Sequence, residues 1–276
     1  MSARRPIVVI KVGGDVVNHP ERLSALTQNI VDLHEDEWKI IVLHGGGPQV
    51  NALQASLGLP TRKVGGRRIT NVDDLRVVKQ AICGETNVDL VCALFAKGLP
   101  ALGLHGASAG LIQAEKRPPR IVSGSGDAPV DFGEVGDVTG IHHQALRTFL
   151  ELGFIPIIAT LGVDPTGRPF NINADTTCVQ VARALMADLL LLTTGVGGIF
   201  RDINDPKSRL VSVSVAEATD LITEGVIEGG MIPKVEEAIS VLGEGVKRIA
   251  VVGPDQPGSF RDIALGEGLY GTQIVP

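Results

Sequence analysis

Six short apolar runs recur along this chain, separated by longer segments in which the apolar residues follow a helical period. The runs lie at about residues 6–12, 39–44, 100–104, 155–161, 188–193 and 248–252. Their lengths and their β-branched content are typical of buried strands. An alternation of strands and helices favours a mainly parallel sheet with helices on both faces, so the sequence predicts an α/β protein.

One stretch interrupts this alternation. Residues 116–129 are rich in proline and glycine, which favour turns over helices or strands. Because motifs on both sides of the stretch belong to one predicted site, we expect a surface hairpin or excursion there and not a linker between domains.

The composition supports a large buried core, since 44% of the 276 residues are hydrophobic. A net charge of −6 gives no electrostatic support for a nucleic-acid partner. No apolar run reaches membrane-spanning length, and residues 1–6 lead into a strand-like run rather than a signal peptide. We therefore expect a cytoplasmic protein that binds neither nucleic acid nor membrane. The three cysteines form no C-x-x-C pattern, so we expect no metal site built from protein ligands.

Glycine turns follow the first two predicted strands. Gly13 and Gly14 come after the first strand, and Gly45, Gly46 and Gly47 come after the second. Open α/β sheets bind ligands at the carboxyl ends of their strands, and glycine lets backbone N–H groups approach a phosphate. The chain has neither a P-loop nor a convincing G-x-G-x-x-G fingerprint. These turns are therefore either an unusual phosphate cradle or only tight connections into helices.

Three charged residues occupy positions that are unfavourable unless they meet partners. Lys11 lies near the end of an apolar strand, Lys234 lies near the start of a predicted helix, and Asp175 begins another helix. Phosphoryl transfer requires positive charge along the line between donor and acceptor oxygens, and two lysines organised by one aspartate would supply it. Each residue also has a simpler interpretation. Lys11 could lie along the core with its ammonium group in solvent, Lys234 could be a solvated surface lysine, and Asp175 could be a helix cap worth about 1 kcal/mol.

Seven short motifs occur in a fixed order along the chain. They are Lys11–Gly14, His44–Gln49, Gly66–Thr70, Gly133–Gly136, Asn171–Thr176, Gly230–Lys234 and Gly271–Thr272. In this order and spacing they resemble the amino acid kinase family, from about residue 6 to the C-terminus. Each motif alone is weak, whereas the ordered set is specific.

The resemblance implies an architecture. It implies a three-layer αβα sandwich around a mainly parallel open sheet of about eight strands, the amino acid kinase fold. The whole chain, residues 1–276, would form one domain. Residues 1–170 would form an N-terminal lobe that binds the acyl amino acid and carries the dimer contact, and residues 171–276 would form a C-terminal lobe that binds the nucleotide.

The resemblance also implies a reaction. It is the transfer of the γ-phosphoryl group of ATP, with Mg²⁺ carried by the nucleotide, to the side-chain carboxylate of N-acetyl-L-glutamate in arginine biosynthesis. Lys11 and Lys234 would neutralise the transferring group, and Asp175 would orient both. The implied substrate ligands are Gly46, Gly47, Arg68 and Asn171, and the implied nucleotide or phosphate ligands are Gly13, Gly14, Gly45, Gly195, Gly198 and Gly230.

Several positions depart from the family pattern. Gly195 replaces an acidic residue of the family pattern, and Val88 replaces the lysine that the family has directly after the position of Asn87. The segment from His105 to Gly110 also differs from the family's sequence. Two alternatives therefore stay open. One is a sister kinase for another acylated or carrier-linked amino acid such as α-aminoadipate, and the other is a relative that binds amino acids or nucleotides without catalysis.

The resemblance bears on assembly as well. Arginine-inhibited members carry an extra N-terminal helix that links dimers into a hexamer, whereas only Met1–Pro6 precede the first predicted strand here. We therefore expect a homodimer, with its contact on the helix after Thr70 and without strong arginine feedback. The segment Gly266–Thr272 resembles the C-terminal signature of the inhibited members and points the other way.

Overall fold

A computed structural model describes residues 4–122, 126, 128–229 and 231–276 of the chain. The strands are β1 (Ile7–Val12), β2 (Lys39–His44), β3 (Lys63–Val64), β4 (Arg67–Arg68), β5 (Ala101–His105), β6 (Ile112–Lys116), β7 (Gly136–Ile141), β8 (Ile155–Ala159), β9 (Leu161–Val163), β10 (Pro169–Asn171), β11 (Leu189–Thr193), β12 (Ser212–Ser214), β13 (Ile249–Val252) and β14 (Thr272–Val275). They form an eight-stranded sheet, a four-stranded sheet and a two-stranded hairpin.

The helices lie mainly between these strands. They are α1 (Gly14–Val17), α2 (Pro20–Glu35), α3 (Gly47–Ser56), α4 (Val72–Val78), α5 (Asn87–Phe95), α6 (His143–Glu151), α7 (Ala174–Leu185), α8 (Val215–Thr223), α9 (Met231–Ile239) and α10 (Ser259–Leu265). A π-helix, Lys79–Thr86, joins α4 to α5, and short 3₁₀ turns occur at Ser108–Gly110 and Pro206–Ser208. None of these described helices is long and apolar enough to cross a membrane.

The eight-stranded sheet has the order β12-β14-β13-β11-β1-β2-β8-β5. Six of its strands run parallel, from β13 to β5, and β14 pairs antiparallel with β13. The strand β12 pairs parallel with β14, so these two strands run against the rest. The predicted mainly parallel open sheet of about eight strands is confirmed.

Both faces of this sheet are covered, which gives three layers. In β1, Ile7 and Val9 pack with residues of α6 to α9, whereas Val8 and Ile10 pack with residues of α2, α5 and α10. All six residues of β1 are buried and all but Lys11 are apolar, so the strand shows no alternation of apolar and polar residues. The predicted αβα sandwich is confirmed, with β1 near its centre.

The apolar run at 155–161 is not one strand. It divides into β8, which belongs to the large sheet, and β9, which belongs to a four-stranded sheet of order β10-β9-β6-β7. Thr160 lies between them, and its N–H and hydroxyl both donate to the His44 carbonyl, at 3.2 and 3.1 Å. These bonds hold the point where the chain leaves the large sheet, which periodicity alone does not reveal.

The stretch expected to be a surface hairpin or excursion follows β6. Strands β6 and β7 pair antiparallel, and an isolated bridge between Arg120 and Val130 extends the pairing beyond them. Residues 123–125 and 127 at its tip lie outside the described residues. The flanks of this stretch therefore form an antiparallel arm, as expected.

Candidate active site

The two glycine turns lie side by side because β1 pairs with β2. A Cβ atom added to Gly14 would lie 2.7 Å from the Cα of Gly46, and one added to Gly46 would lie 2.9 Å from the Cγ1 of Ile82. Both distances are shorter than real Cβ contacts. The first turn therefore packs at Gly14 against the backbone of the second, and the second packs at Gly46 against the Ile82 side chain, so each close approach requires glycine.

A cavity of about 320 Å³ opens at these turns, and we call it the catalytic cavity. Its lining includes Lys11, Gly13, Gly14, Gly45, Gly46, Gly47, Arg68, Asn171 and Asp175. These are nine of the thirteen residues that the sequence assigned to the site. Residues as far apart in the chain as Lys11 and Asp175 therefore meet at the carboxyl ends of β1 and β2.

Lys11, Asp175 and Lys234 form one charged group. One Asp175 oxygen lies 3.1 Å from the Lys11 Nζ atom, and the other accepts a hydrogen bond of 2.5 Å from the Lys234 Nζ atom. Burial raises the pKa of Asp175, but the Lys11 and Lys234 charges outweigh it and hold the pKa below its usual value. The carboxylate is therefore ionised, and the group carries one uncompensated positive charge.

The position of Asp175 is explained by its contacts with the two lysines and not by helix capping. The N-cap of α7 is Asn173, whose side-chain oxygen accepts from the Thr176 N–H at 3.0 Å. Asp175 is the second residue of this helix and turns towards the two lysines. The motif therefore divides its work, because the asparagine caps the helix and the aspartate positions the lysines.

A second cavity, of about 470 Å³, meets the catalytic cavity at Asp175. Arg68 and Asn171 also line both cavities, whereas Lys234 lines only the second. Lys11 and Lys234 therefore approach the shared boundary from different cavities. This arrangement suits charge neutralisation on two sides of a group in transfer.

Arg68 and Asn171 are held in place by neutral partners. The Arg68 guanidinium donates to the side chains of Gln54 and Asn51, and the Asn171 amide donates to the Thr70 hydroxyl at 3.1 Å. Burial lowers the pKa of Arg68, and the more distant Asp74 acts in the opposite direction. Among the described residues no carboxylate forms an ion pair with Arg68, which leaves its charge for an anionic ligand.

A third cavity, of about 450 Å³, lies near the loop after β11. Gly198 lines it, as do the apolar side chains of Phe200, Ile227 and Met231. Gly195, the other predicted residue of this loop, is exposed, and Gly230 lies outside the described residues. Met231 is three residues before Lys234 on α9, so one helix turn separates the third cavity from the second.

Sequence reasoning missed the apolar lining of the third cavity. Phe200, Ile227 and Met231 come from separate loops and from the start of α9, and only folding brings them together. Two signals in the sequence pointed to this cavity: Gly198 was a predicted nucleotide ligand, and Met231 belongs to the same motif as Lys234.

Glu237 is a further residue that the sequence did not single out. It lies one helix turn after Lys234, and its Oε1 atom accepts from the Thr176 hydroxyl at 2.8 Å. Its Oε2 atom is buried without a hydrogen-bond partner among the described residues. Burial raises its pKa, the Thr176 bond lowers it in part, and the Asp175 charge raises it again. In the sequence, Glu237 could have been found from its position three residues after Lys234, because this spacing places both side chains on one face of a helix.

Gly195 directly precedes Val196, which lines the third cavity, whereas the departures at Val88 and at the His105–Gly110 segment do not line the three cavities. Val88 is 55% exposed on α5, so the position without the expected lysine faces outward. The His105 ring lies 3.3 Å from the Ser108 hydroxyl in its own loop, which favours the structural interpretation of this histidine over a ligand contact. Ala109 has a φ of 50°, a left-handed conformation that alanine adopts with strain.

His44 lies at the end of β2, immediately before the second glycine turn. It is fully buried, and burial lowers its pKa to about 4 although the hydrogen bond to the Gly45 carbonyl raises it. The ring is therefore neutral at physiological pH. A neutral buried histidine makes the stability of the fold depend on pH.

We predict that His44 destabilises the fold as the pH falls from 6.5 to about 4. The unfolded chain binds a proton near pH 6.5, whereas the folded chain binds it only near pH 4, so acid favours unfolding in this window. This residue should lower the free energy of unfolding by about 2 kcal/mol between pH 7 and pH 5. Urea unfolding at both pH values measures the change. Over the same pH change, the free energy of unfolding should fall by about 2 kcal/mol less in the His44→Asn variant than in the wild type. Equal falls in the two proteins would contradict the prediction.

Known proteins share the sequence over nearly its full length. The chain matches the model of the Amino acid kinase family over residues 6–253. A protein named acetylglutamate kinase from Anaeromyxobacter sp. (strain Fw109-5) is 44% identical over 268 residues, which cover 97% of this chain and 98% of the relative. The family match includes β1, both glycine turns and the Lys11, Asp175 and Lys234 group.

Solved structures share the fold. The structure of smu.665 from Streptococcus mutans UA159 is 29% identical, covers 98% of both chains and has a TM-score of 0.76. The carbamate kinase from Giardia lamblia bound to AMP-PNP has a TM-score of 0.71 at 18% identity, covering 100% of this chain and 99% of that chain. The sheet order, the motifs and the full-length matches agree, and the chain belongs to the amino acid kinase family.

Proposed function

We propose that this protein transfers the γ-phosphoryl group of ATP to the side-chain carboxylate of N-acetyl-L-glutamate, a step of arginine biosynthesis. The observation that carries the proposal is Asp175, which holds Lys11 and Lys234 at the shared boundary of two cavities. The name of the Anaeromyxobacter relative, acetylglutamate kinase, supports the same substrate. The product is an acyl phosphate, N-acetyl-L-glutamyl 5-phosphate, together with ADP.

The proposed mechanism needs positioning and charge and does not need a general base. A carboxylate oxygen attacks the γ-phosphorus, and the bond from that phosphorus to the β-phosphate oxygen breaks, so no proton is transferred. Lys11 and Lys234 neutralise the charge on the transferring group, and Asp175 keeps both ammonium groups aimed at it. The glycine turns add backbone N–H groups from Gly14 and Gly46.

Magnesium would enter with the nucleotide. Mg²⁺ is usually held by ATP phosphates and waters with few protein ligands, and there it would neutralise phosphate charge. The unpartnered Oε2 atom of Glu237 fits this arrangement, because it could accept a hydrogen bond from a metal-bound water. The need for ATP also leads us to place the reaction in the cytoplasm.

The two lobes would divide the ligands between them. Residues 1–170 would bind the acyl amino acid, with Arg68 on its α-carboxylate and Asn171, at the boundary, as a further ligand. The carboxylate in transfer would lie near Gly46 and Gly47. Residues 171–276 would bind the nucleotide, with its base in the third cavity and its phosphates directed towards Lys234.

Replacing either lysine should reduce turnover much more than stability. We expect Lys11→Ala and Lys234→Ala each to lower kcat on the order of 100-fold or more, because a charge contact of the transition state is lost. Steady-state kinetics and thermal unfolding measure the two effects. The matched control is Lys97→Ala, since Lys97 is exposed and remote from the cavities described above. Normal turnover in both lysine variants would remove the mechanism.

Substrate choice should follow chain length and acylation. In an assay of ATP-dependent hydroxamate formation, we expect a signal with N-acetyl-L-glutamate and almost none with free glutamate, N-acetyl-aspartate or N-acetyl-α-aminoadipate. Once Arg68 fixes the α-carboxylate, one methylene more or less moves the reacting carboxylate by about 1 Å or more, which costs on the order of 100-fold.

Negative results in this assay are also informative. Silence with all four compounds, from folded protein that still binds ATP, would favour a carrier-linked substrate. Silence without ATP binding would favour a non-catalytic relative.

We also propose a homodimer through the helical region after Thr70. On α5, Val88 and Phe95 are 55% and 75% exposed, and the exposed Cys92 lies between them on the same helix face. Size-exclusion chromatography should give the mass of a dimer. The Phe95→Asp variant should shift the equilibrium towards monomer, because a charge would enter the contact. Added arginine should leave the activity unchanged. A hexamer with sigmoidal arginine inhibition would overturn this proposal.

A further inference from the structure

The His44 ring contacts two polar groups, one on each nitrogen. Its Nδ1 atom lies 2.9 Å from the Gly45 carbonyl oxygen, and its Nε2 atom lies 2.9 Å from the Nδ2 atom of Asn87. Asn87 is the first residue of α5 and is 6% exposed. Both side chains are therefore shielded from water, and each contact must be satisfied within the protein.

The Asn87 amide determines which nitrogen of His44 carries the proton. The Asn87 Nδ2 atom also lies 2.9 and 3.2 Å from the carbonyl oxygens of Ile157 and Leu104, so its two N–H groups are shared among these two carbonyls and the His44 Nε2 atom. Carbonyls only accept, so the amide nitrogen must be the atom on that side, and the group that faces Nε2 is a donor. The Nε2 atom of His44 is therefore the acceptor. The proton lies on Nδ1, which donates to the Gly45 carbonyl.

This hydrogen bond fixes the orientation of the peptide between Gly45 and Gly46. In a trans peptide the C=O and the N–H point in opposite directions. Because the Gly45 carbonyl turns towards His44, the Gly46 N–H turns away from it. Gly46 lines the catalytic cavity, and its N–H has no acceptor among the described residues. It is therefore available to an anionic ligand.

The surrounding structure is shaped to keep Asn87 in this place. The π-helix Lys79–Thr86 ends directly before it, and π-helical turns occur frequently at functional sites. The same segment packs behind the glycine turn, since a Cβ added to Gly46 would lie 3.2 Å from the Thr86 hydroxyl. On the other side, a Cβ added to Gly103 would lie 2.6 Å from the Asn87 Oδ1 atom.

We infer that His44 and Asn87 are positioning residues for phosphoryl transfer, which hold the Gly45–Gly46 peptide with its N–H facing the catalytic cavity. The inference rests on the proposed function for the identity of the transferred group. Neither side chain lines the catalytic cavity, so both act through the peptide. A peptide turned the other way would present a carbonyl oxygen to the anionic group in transfer, which would raise the barrier instead of lowering it.

Two variants of His44 separate this role from simple packing. The amide nitrogen of asparagine lies near the position of the histidine Nδ1, whereas that of glutamine lies near Nε2. His44→Asn can still donate to the Gly45 carbonyl, and His44→Gln cannot. We expect kcat to be at least about tenfold lower in His44→Gln than in His44→Asn, with the KM values for ATP and N-acetyl-L-glutamate within about threefold, because misplacement by about 1 Å costs on the order of 100-fold in rate.

Equal kcat values in these two variants, at equal stability, would overturn the inference. A wild-type protein that is inactive with N-acetyl-L-glutamate would instead contradict the proposed function.

A second measurement does not depend on activity. In protein labelled with ¹⁵N at its six histidines, the His44 signal is the one lost in His44→Asn. We expect its Nδ1–H tautomer in the wild type and a changed signal in Asn87→Ala. An Nε2–H tautomer in the wild type would overturn the inference.

Discussion

The contact between Asp175 and two lysines is the interaction on which the rest of the site depends. It joins the central strand β1, the first turn of α7 and the first half of α9. Burying ammonium groups is costly unless a carboxylate and further partners compensate for the lost water. One carboxylate between two lysines compensates only part of the charge. The fold therefore presents a positive site that an incoming phosphoryl group completes.

Shape and charge in this site come from different parts of the sequence. The glycine turns supply shape, because Gly14 lets its turn pack against the backbone at Gly46 and Gly46 lets Ile82 pack close behind it. The lysines supply charge, and Arg68 adds a cation whose hydrogen-bond partners among the described residues are all neutral. Since the turns end adjacent strands, the sheet register sets the distance between the two backbone donors.

The sequence predicted the parts that depend on local patterns and on ordered motifs. The strand positions followed from apolar runs, and the meeting of Lys11 with Asp175 followed from two residues in unfavourable places. The division at Thr160, the Glu237 carboxylate and the bond between His44 and Asn87 could not be predicted in this way. Each depends on contacts between segments far apart in the chain, and a single sequence carries no period or turn signal for such contacts.

The position of β14 in the large sheet affects how the chain can be synthesised. This strand, Thr272–Val275, lies between β13 and β12, and β12 pairs with no other strand of that sheet. During translation β12 would leave the ribosome about 60 residues before its neighbour exists. Until then β12 has no strand to pair with and β13 has an open edge, which is a template for pairing with other chains. The nascent protein therefore passes through an interval in which chaperone binding would reduce aggregation.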